Sequence, residues 1–423
     1  MKVVHLCTVD TGNGAAVAAH RLHRGLLRMG HDSTMFVAES RSVVNDPTVS
    51  IFSPPRDLPS RLRRRFRQTL TRMSLAQYRR SRSAGYEIFS DDRSPHGADL
   101  LAQIPACDVI NIHAMLNFVD YQAFFAAVPQ RTPVVRTLHD MSFFTGGCHY
   151  DAGCGRYVER CGACPQLGSS NAEDLSRQIW QRKHSALKNV NRECLYLVTP
   201  SHWLAKEARR SSILQNFSVK VIPYGLDTED FCPRHRTVAR EILGISPTAR
   251  VLLFVAEPIT RRAKGFALLV QALSGMGEVP NLLLVSVGSG KPPAEVKIPH
   301  LRLGHIGNDR LLSQVYSAAD VLVIPSLQDN LPQTPLEAMA CGTPVIGFAV
   351  GGIPDVVRPG VTGVLVPPGD TTALRDAIWD LLRDPGRREE MATNCRRMAV
   401  KEYALEVQAQ RYVELYETIL TSH

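Results

Sequence analysis

The sequence predicts an α/β protein of two domains, each built from a parallel sheet with helices on its faces. The 423 residues are too many for one ordinary domain and suit two. In both halves of the chain, short apolar runs alternate with helical patterns, an order typical of parallel sheets with crossover helices. Hydrophobic residues make up 44% of the chain and charged residues 21%, so both domains can form a core.

The N-terminal elements form a strand–helix–strand unit. An apolar run over Lys2–Val9 predicts a buried strand, and a glycine-containing turn leads into a helix that ends near Gly30. The next strand is predicted over Ser33–Ala38, which gives a right-handed βαβ unit of the Rossmann type. Further strands, each leading into polar residues, are predicted at Val109–His113, Val134–Leu138 and Leu195–Thr199.

The same order of elements starts again in the second half. Strands are predicted at Val251–Ala256, Leu282–Val287, Val321–Pro325 and Val345–Phe348, and helices at Ala267–Leu273, Leu311–Ala319 and Leu336–Ala340. A stretch rich in turn residues puts the join between Pro200 and Pro233. We expect an N-terminal domain over 1–225, a C-terminal domain over 226–402, and a segment 403–423 that packs back toward the N-terminal domain, with a long amphipathic helix over Glu402–Leu420.

The net charge of +9 comes from one segment. Residues 56–82 contain ten arginines, no lysine and a single acid, so the rest of the chain is neutral. Apolar residues at Leu62, Phe66, Leu70 and Met73 lie three or four positions apart, which predicts a basic amphipathic helix of the kind that lies on anionic membranes. The alternative is a solvated helix whose apolar stripe packs on its own domain. A nucleic-acid partner is not expected, because no stacking aromatics accompany the arginines.

The chain is expected to be cytoplasmic. It has no run of about 18 apolar residues that would span a membrane. Its N-terminus becomes polar after a few residues and lacks the apolar core of a signal peptide. With the basic segment, this predicts a peripheral position at the inner membrane face.

The most informative motif runs from Pro325 to Val357. A strand ends at Pro325, the next loop carries Asp329, and a helix is predicted to open near Pro335 with Glu337 in its first turn. A helix N-terminus attracts a phosphate or a sugar oxygen, and an acid there can accept hydrogen bonds from a ribose diol. The alternative is that Glu337 only complements the helix dipole.

These residues resemble glycosyltransferase family 4. The resemblance rests on the acid-x7-acid loop, the GTPVI and GGIPDVV that follow it, the TRRAKGF turn and the opening glycine loop, and it extends from Met1 to about Tyr416. It implies the GT-B arrangement, two Rossmann-like domains facing a central cleft, and transfer with retention of anomeric configuration. The stretches TLHDMSFFTGGCHY and SLQDNLPQTPLE look most like the branch that builds bacterial exopolysaccharides, of the colanic-acid type.

The resemblance also implies how the donor is bound. Glu337 would hold the ribose hydroxyls, and Asp329 would contact the donor sugar, at a position where the family usually has the longer Glu. Lys264, with Arg261 or Arg262, would clamp the diphosphate, since two cations stabilise the charge on a leaving nucleoside diphosphate. The alternative for the two arginines is a solvated surface pair.

Further donor contacts are implied from both domains. Asn330, Leu331 and Pro332 would line the sugar pocket, partly through backbone amides. The loop that carries Gly12 and Gly14 would approach the phosphates from the N-terminal domain. Without the resemblance, the residues alone predict only a helix-start turn.

His139, at a strand end, would contact the donor sugar from the N-terminal domain, which makes His139, Lys264 and Asp329 the implied catalytic set. A structural role is the alternative for a single histidine at such a position. His113 is a second candidate, facing the acceptor, and Asp140 would either orient His139 or cap the next helix. No carboxylate pair suits a double displacement. The resemblance implies front-face displacement, in which catalysis is positioning and electrostatic stabilisation. No Asp-x-Asp metal motif lies in a donor loop, so no catalytic cofactor is expected.

A cysteine loop, residues 146–166, carries four cysteines within 17 residues and ends in a C-x2-C pair. In a cytosolic protein this spacing predicts a structural zinc site with tetrahedral thiolate ligands. His149 could replace one ligand, and the alternatives are two disulfides or free thiols. The cysteines are Cys148, Cys154, Cys161 and Cys164.

Together these features predict a retaining glycosyltransferase of the hexosyltransferase type. It would move a sugar from a UDP- or GDP-sugar to a hydroxyl of a polysaccharide or lipid-linked glycan, with an anionic membrane surface as a further partner. One alternative is another nucleotide-sugar enzyme of the same fold, of the 2-epimerase type. The other is a non-catalytic module that binds a nucleotide sugar.

Overall fold

The computed structural model describes residues 1–42, 46–82, 86, 88–129 and 132–421. It divides into two compact units. Unit 1 comprises Met1–Pro223 and Gln408–His423, and unit 2 comprises Tyr224–Val407. The first division lies two residues before the predicted domain end at residue 225, and the second lies five residues after the predicted end at residue 402.

In the described part of unit 1, seven strands form one sheet in which all neighbouring pairs are parallel. The strands are β1 (Lys2–Val9), β2 (Asp32–Glu39), β3 (Val49–Ile51), β4 (Val109–Ile112), β5 (Val134–Thr137), β6 (Leu195–Thr199) and β7 (Val219–Val221). The helices of residues 1–223 are α1 (Gly14–Arg28), α2 (Leu58–Ala76), α3 (Tyr121–Ala127), α4 (Leu175–Lys188) and α5 (His202–Arg210).

The sheet of unit 1 has the order β3-β2-β1-β4-β5-β6-β7. Strands β1 to β3 are added toward one edge of the sheet and strands β4 to β7 toward the other. The strand order therefore reverses between β1 and β4. In open parallel sheets, ligands bind outside the carboxyl ends of the strands at such a reversal. The five predicted strands are confirmed to within one residue at each end, while the edge strands β3 and β7 were not predicted.

Helix α1 has clear start and stop signals. The side chain of Asn13 caps it by accepting the backbone N–H of Ala16 at 3.0 Å. Gly30 follows the last turn with a φ of +80°, a left-handed conformation that favours glycine and ends the helix as predicted. Leu22 and Leu26 are buried against the sheet, which fixes the side of the sheet that α1 covers.

In the described part of unit 2, six strands form a second parallel sheet. The helices are α6 (Arg236–Ile242), α7 (Phe266–Ser274), α8 (Asp309–Ala318), α9 (Gln333–Ala340), α10 (Ile353–Val356), α11 (Thr371–Arg383) and α12 (Pro385–Tyr403). The strands are β8 (Arg250–Val255), β9 (Leu282–Val287), β10 (His300–Gly304), β11 (Val321–Ile324), β12 (Val345–Phe348) and β13 (Gly363–Val366).

The sheet of unit 2 has the order β10-β9-β8-β11-β12-β13, which repeats the order of the first six positions in unit 1. Its reversal lies between β8 and β11. The fold is thus α/β with two Rossmann-like units, as predicted. A ligand site is expected at the carboxyl ends of β8 and β11.

The C-terminal helical segment differs from the prediction. The predicted helix over Glu402–Leu420 is present as α13 (Leu405–Thr421), but it begins three residues later, and α12, which was not predicted, directly precedes it. Ala404 interrupts them with extended backbone, φ −61° and ψ 150°. Tyr412 and Tyr416 of α13 are buried in unit 1, and the Tyr416 hydroxyl accepts a hydrogen bond from Asn111 Nδ2 at 2.7 Å.

Helix α2 contains most of the basic segment. Asp57 caps it by accepting the N–H of Ser60 at 2.9 Å. The apolar stripe of this helix is exposed to solvent, with the side chains of Phe66 and Met73 each 65% accessible. The alternative that this stripe packs on its own domain is therefore wrong. Among the described residues, no helix combines the length and apolar composition needed to cross a bilayer.

Candidate functional site

In unit 2, two loops meet at the carboxyl ends of β8 and β11. Lys264 lies in the first loop and Asp329 in the second, and Lys264 Nζ donates to Asp329 Oδ2 at 2.5 Å. Asp329 is only 7% exposed, so the ion pair is shielded from water. The structure thus brings together the residue predicted to clamp a diphosphate and the residue predicted to contact the sugar.

The lysine loop needs glycine at position 265. Gly265 has a φ of +74°, and a Cβ there would lie 1.7 Å from the carbonyl oxygen of Pro325. Leu327 N–H donates to the carbonyl of Ala263 at 2.8 Å, which ties the two loops together. In the Lys-Gly pair of the sequence, the lysine supplies the charge and the glycine allows the two backbones to approach closely.

The GGIPDVV motif supports the loop of Asp329. Gly351 has a φ of +55°, and a Cβ there would lie 1.6 Å from the carbonyl oxygen of Asp329. Gly352 N–H donates to that same carbonyl at 3.3 Å. The motif is recognisable in the sequence, but this supporting role was not predicted.

Glu337 lies deeper in its helix than expected. Helix α9 begins at Gln333 rather than near Pro335, so Glu337 lies in its second turn. The helix dipole acts mainly on the first turn, which weakens the interpretation that Glu337 only complements it. The carboxylate is 6% exposed, and its Oε2 accepts a hydrogen bond from the Tyr316 hydroxyl at 2.8 Å. Tyr316 was not predicted, because nothing in its helical pattern distinguishes it from a core residue.

The remaining residues predicted in unit 2 follow the same two loops. Arg261 is partly buried, whereas the Arg262 side chain is exposed. The segment between Asp329 and α9 is buried and consists of Asn330, Leu331 and Pro332. Pro332 is at the N-cap position of α9, and its side chain makes no capping hydrogen bond.

In unit 1, three histidines form a hydrogen-bonded row that runs from the middle of β1 to the carboxyl ends of β4 and β5. His5 Nδ1 lies 3.0 Å from His113 Nε2, and His113 Nδ1 lies 3.0 Å from His139 Nε2. Burial, reinforced by nearby Arg136, lowers the pKa of His139 to about 3. Burial also holds the pKa of His113 well below its usual range. Neutral imidazoles in such a row couple their tautomers, because one ring must donate where the next accepts.

Asp140 caps the next turn. Its Oδ1 accepts the N–H of Ser142 at 2.7 Å, and its Oδ2 lies 2.7 Å from His149 Nδ1. Although burial opposes it, His149 and Ser142 hold the pKa of Asp140 well below its usual range. The structure therefore shows the capping role that was considered for Asp140.

A polar pocket of about 50 Å³ lies at this end of unit 1. Its wall includes His113, His139 and Asp140, which sequence analysis found. It also includes Lys183 and Arg136, which it did not. Lys183 is 1% exposed and donates to the carbonyl of Thr145 at 3.0 Å. Arg136 lies within a strand and Lys183 within a helix, and neither residue belongs to a recognisable sequence motif.

The glycine loop lies at the carboxyl end of β1. Gly12 has a φ of +91°, and Gly12 and Gly14 are both exposed. Asp10, just before the loop, is buried and accepts the N–H of Arg41 at 2.8 Å, which anchors the end of the strand. The loop is therefore an open turn at the position where this sheet type binds ligands.

The cysteine loop carries free thiols. Cys148, Cys161 and Cys164 are buried and Cys154 is partly buried. The disulfide alternative is therefore absent from this structure. Within the described ranges, no three His, Cys, Asp or Glu side chains already converge as metal ligands.

The family model for glycosyltransferase family 4 matches residues 12–230, more than half of the chain. The chain belongs to glycosyltransferase family 4. A second model, glycosyl transferases group 1, matches residues 249–384 of this family 4 protein. The two matches cover most of unit 1 and of unit 2 respectively.

Curated relatives match about half of this family 4 protein. A D-inositol 3-phosphate glycosyltransferase of Xylanimonas cellulosilytica is 35% identical over 194 residues, 42% of this chain and 46% of that protein. An N-acetyl-alpha-D-glucosaminyl L-malate synthase of Bacillus anthracis is 27% identical over 230 residues, 53% of this chain and 58% of that protein. The chain spans about half the length of the curated relatives it matches. These names do not confirm the exopolysaccharide branch.

Solved structures share the fold over the whole chain. Sucrose-phosphate synthase from Thermosynechococcus elongatus superimposes with a TM-score of 0.67 at 21% identity, covering 100% of both chains. Anabaena HepE in complex with UDP-glucose gives a TM-score of 0.67 at 16% identity, covering 99% of this chain and 100% of that one. At such identities the similarity establishes the fold.

Proposed function

We propose that this family 4 protein is a retaining glycosyltransferase that moves a sugar from a nucleotide-diphosphate sugar to a hydroxyl. The observation that carries the proposal is the Lys264–Asp329 pair, 2.5 Å apart at the reversal point of the unit 2 sheet. The buried Glu337, held by Tyr316, lies on the helix that follows the same loop. A cation, a sugar-binding acid and a ribose-binding acid are the groups that such a donor requires.

The donor proposed is a UDP- or GDP-sugar. The structure of Anabaena HepE was solved with UDP and with UDP-glucose, which favours uridine as the first nucleobase to test. Lys264, with Arg261 or Arg262, would bind the diphosphate through charge-assisted hydrogen bonds. Glu337 would accept hydrogen bonds from the ribose hydroxyls.

The reaction proposed is a front-face displacement. The acceptor oxygen bonds to the anomeric carbon on the face from which the diphosphate leaves, and the acceptor proton passes to a leaving phosphate oxygen. The bond between the anomeric carbon and the phosphate oxygen breaks, and its electron pair stays on the diphosphate, where Lys264 stabilises the charge. His139, with a pKa near 3, is neutral at physiological pH and would act as a hydrogen-bond partner of the sugar rather than as an acid.

The acceptor proposed is a polysaccharide or lipid-linked glycan, and support for it comes from helix α2. Leu62, Phe66 and Met73 are 56%, 65% and 65% exposed, which is unusual for large apolar side chains on one helix face. Exposed arginines flank them on the same helix, at Arg61, Arg63, Arg65 and Arg72. An apolar stripe edged with cations is complementary to a bilayer with anionic headgroups.

Vesicle binding tests the membrane part of this proposal. The wild type should co-sediment with vesicles that contain phosphatidylglycerol but not with phosphatidylcholine alone, and high salt should weaken binding. The double variant Leu62→Glu and Phe66→Glu should lose binding, because charges replace the inserted side chains. The matched control changes two exposed apolar residues of α6, Val238→Glu and Ile242→Glu, and should bind like the wild type. Unchanged binding by the α2 variant would contradict the proposal.

Thermal unfolding with UDP, GDP, ADP and TDP tests the donor site. A nucleotide at about 100 times its dissociation constant should stabilise the wild type by about 2.7 kcal/mol. The variant Glu337→Gln keeps the size of the side chain and a hydrogen-bond acceptor for Tyr316 but loses the charge, so it should show a smaller shift. Absence of a shift with all four nucleotides in the wild type would refute the donor proposal.

Product analysis then separates the alternatives. Release of nucleoside diphosphate without acceptor separates an enzyme from a binding module, and a glycosylated acceptor formed together with that release indicates a transferase. Interconversion of the donor with its 2-epimer would indicate the epimerase alternative. Nucleotide binding with neither reaction would indicate a binding module.

A further inference from the structure

The four cysteines of the cysteine loop surround a single small cavity. Cys148, Cys154, Cys161 and Cys164 all line it, although the loop between them contains only short 3-10 turns. Its volume is about 20 Å³. A space of that size holds about one water-sized sphere, so it suits a single ion and no organic ligand.

The backbone around the cavity is already arranged for sulfur. Gly146 N–H donates to Cys161 Sγ at 3.1 Å, a bond that stabilises a thiolate. A Cβ at Gly146 would lie 2.8 Å from Cys161 Cβ, and a Cβ at Gly162 would lie 2.3 Å from the carbonyl oxygen of Ala172. Glycines are therefore required on both sides of Cys161 if the loop is to close around the cavity.

His149 has other partners and leaves the four cysteines as the ligand set. Its Nδ1 lies 2.7 Å from Asp140 Oδ2, and its Nε2 lies 3.0 Å from Ser90 Oγ. Both ring nitrogens are engaged, so His149 is a weaker ligand candidate than its position beside Cys148 indicates. A tetrathiolate site carries a net charge of about −2, and buried Lys183 interacts electrostatically with Cys148 and Cys161.

We propose that Cys148, Cys154, Cys161 and Cys164 bind one Zn²⁺ ion with a structural role. The sulfurs would turn into the cavity by side-chain rotation to reach the Zn–S distance of about 2.3 Å. The ion would hold the wall of the 50 Å³ pocket, because Cys148 pairs with Phe89 in a β-bridge, and His149 and Ser90 follow directly. The site is independent of the donor site in unit 2.

Metal analysis of the full chain, purified without a polyhistidine tag under reducing conditions, tests the proposal. We expect about one zinc per chain. Cys161→Ser and Cys164→Ser should each lower the zinc content strongly, whereas Cys107→Ser, outside the loop, should not. Replacement by Co²⁺ should give the charge-transfer and visible bands of tetrahedral thiolate coordination.

A second measurement applies if the cysteine variants fail to fold. Wild-type protein should release its zinc to a chromogenic chelator when an organomercurial blocks the thiols, in proportion to about four thiols per ion. Wild type that holds neither zinc nor cobalt would overturn the proposal, as would two disulfides found by thiol counting without reductant. All of these readouts are independent of transferase activity, so failure of the zinc proposal and failure of the proposed function are distinguishable.

Discussion

Asp329 shows how one residue can depart from a family pattern and still fit its place. The family usually has Glu there, yet the shorter side chain reaches Lys264 at 2.5 Å. Its carbonyl is held by Gly352 at 3.3 Å, so the backbone is fixed independently of the side chain. The shorter side chain is therefore long enough to pair with the cation of the neighbouring loop.

Asp329→Asn tests this pairing at the residue scale. The amide keeps the shape but cannot neutralise Lys264, so we expect kcat/KM to fall about 10- to 100-fold, equivalent to about 1.4–2.7 kcal/mol. The control Asp376→Asn removes an exposed acid paired with Arg375 and should leave activity unchanged. Equal activity of Asp329→Asn and the wild type would remove Asp329 from the site.

Buried histidines predict a pH dependence of stability. Burial lowers the pKa of His139 to about 3 and of His23 to about 4, below the usual value of 6.5. At pH values between the folded pKa and 6.5, the unfolded state binds more protons than the folded state. The contribution of these histidines to the free energy of unfolding is therefore complete above pH 6.5 and is lost as pH falls toward 4. Urea unfolding should show stability falling by up to about 1.4 kcal/mol per pH unit for each histidine. His23→Gln should reduce this slope, and an identical slope would contradict the assignment.

Loops at the carboxyl ends of strands are the elements that build the site. The central strands were predictable because each is a continuous apolar run. The edge strands β3 and β7, three residues each, were not, since so short a run has no recognisable pattern. Helix α9 starts before Pro335 because proline is tolerated throughout the first turn, where its missing N–H is not needed. The histidine row was not predictable, since only the sheet brings His5 next to His113.

Gly351→Ala tests how one loop supports another. The new Cβ would lie 1.6 Å from the Asp329 carbonyl oxygen, so the Asp329 loop must move. We expect activity to fall at least tenfold and thermal stability to fall. The control Gly369→Ala also has positive φ, at +76°, but meets no atom within 4 Å, so it measures backbone strain alone. Equal activities of the two variants would show that the clash does not matter.

At the scale of the whole molecule, the two units share one strand order but differ in continuity. Unit 2 is a single stretch, whereas unit 1 needs residues from both ends of the chain. The last segment was expected to pack back toward the N-terminal domain, but its amphipathic pattern does not show which side chains make the contact. In the structure, Tyr412 and Tyr416 do so, through hydrogen bonds with Thr137 and Asn111 of unit 1.

Tyr416→Phe tests this closure. The change removes the acceptor of Asn111 Nδ2 and leaves a buried amide unsatisfied, which should cost about 1–3 kcal/mol of unfolding free energy. Glu414→Gln, an exposed change on the same helix, should be neutral. Chemical denaturation of both variants gives the comparison, and equal midpoints would contradict the proposed importance of this bond.

Unit 1 is built from two separate segments of the chain, which has a consequence for the order in which the units can be completed. The segment Tyr224–Val407 is complete before any residue of the final helical turns has been made. Unit 2 can therefore fold without residues 408–421, whereas unit 1 needs the helix that shares a core with Val3 and Leu22. Chains truncated after residue 407 and released from the ribosome should resist protease in unit 2 and remain sensitive in unit 1, so the part of unit 1 that is translated first depends on residues that are translated after unit 2.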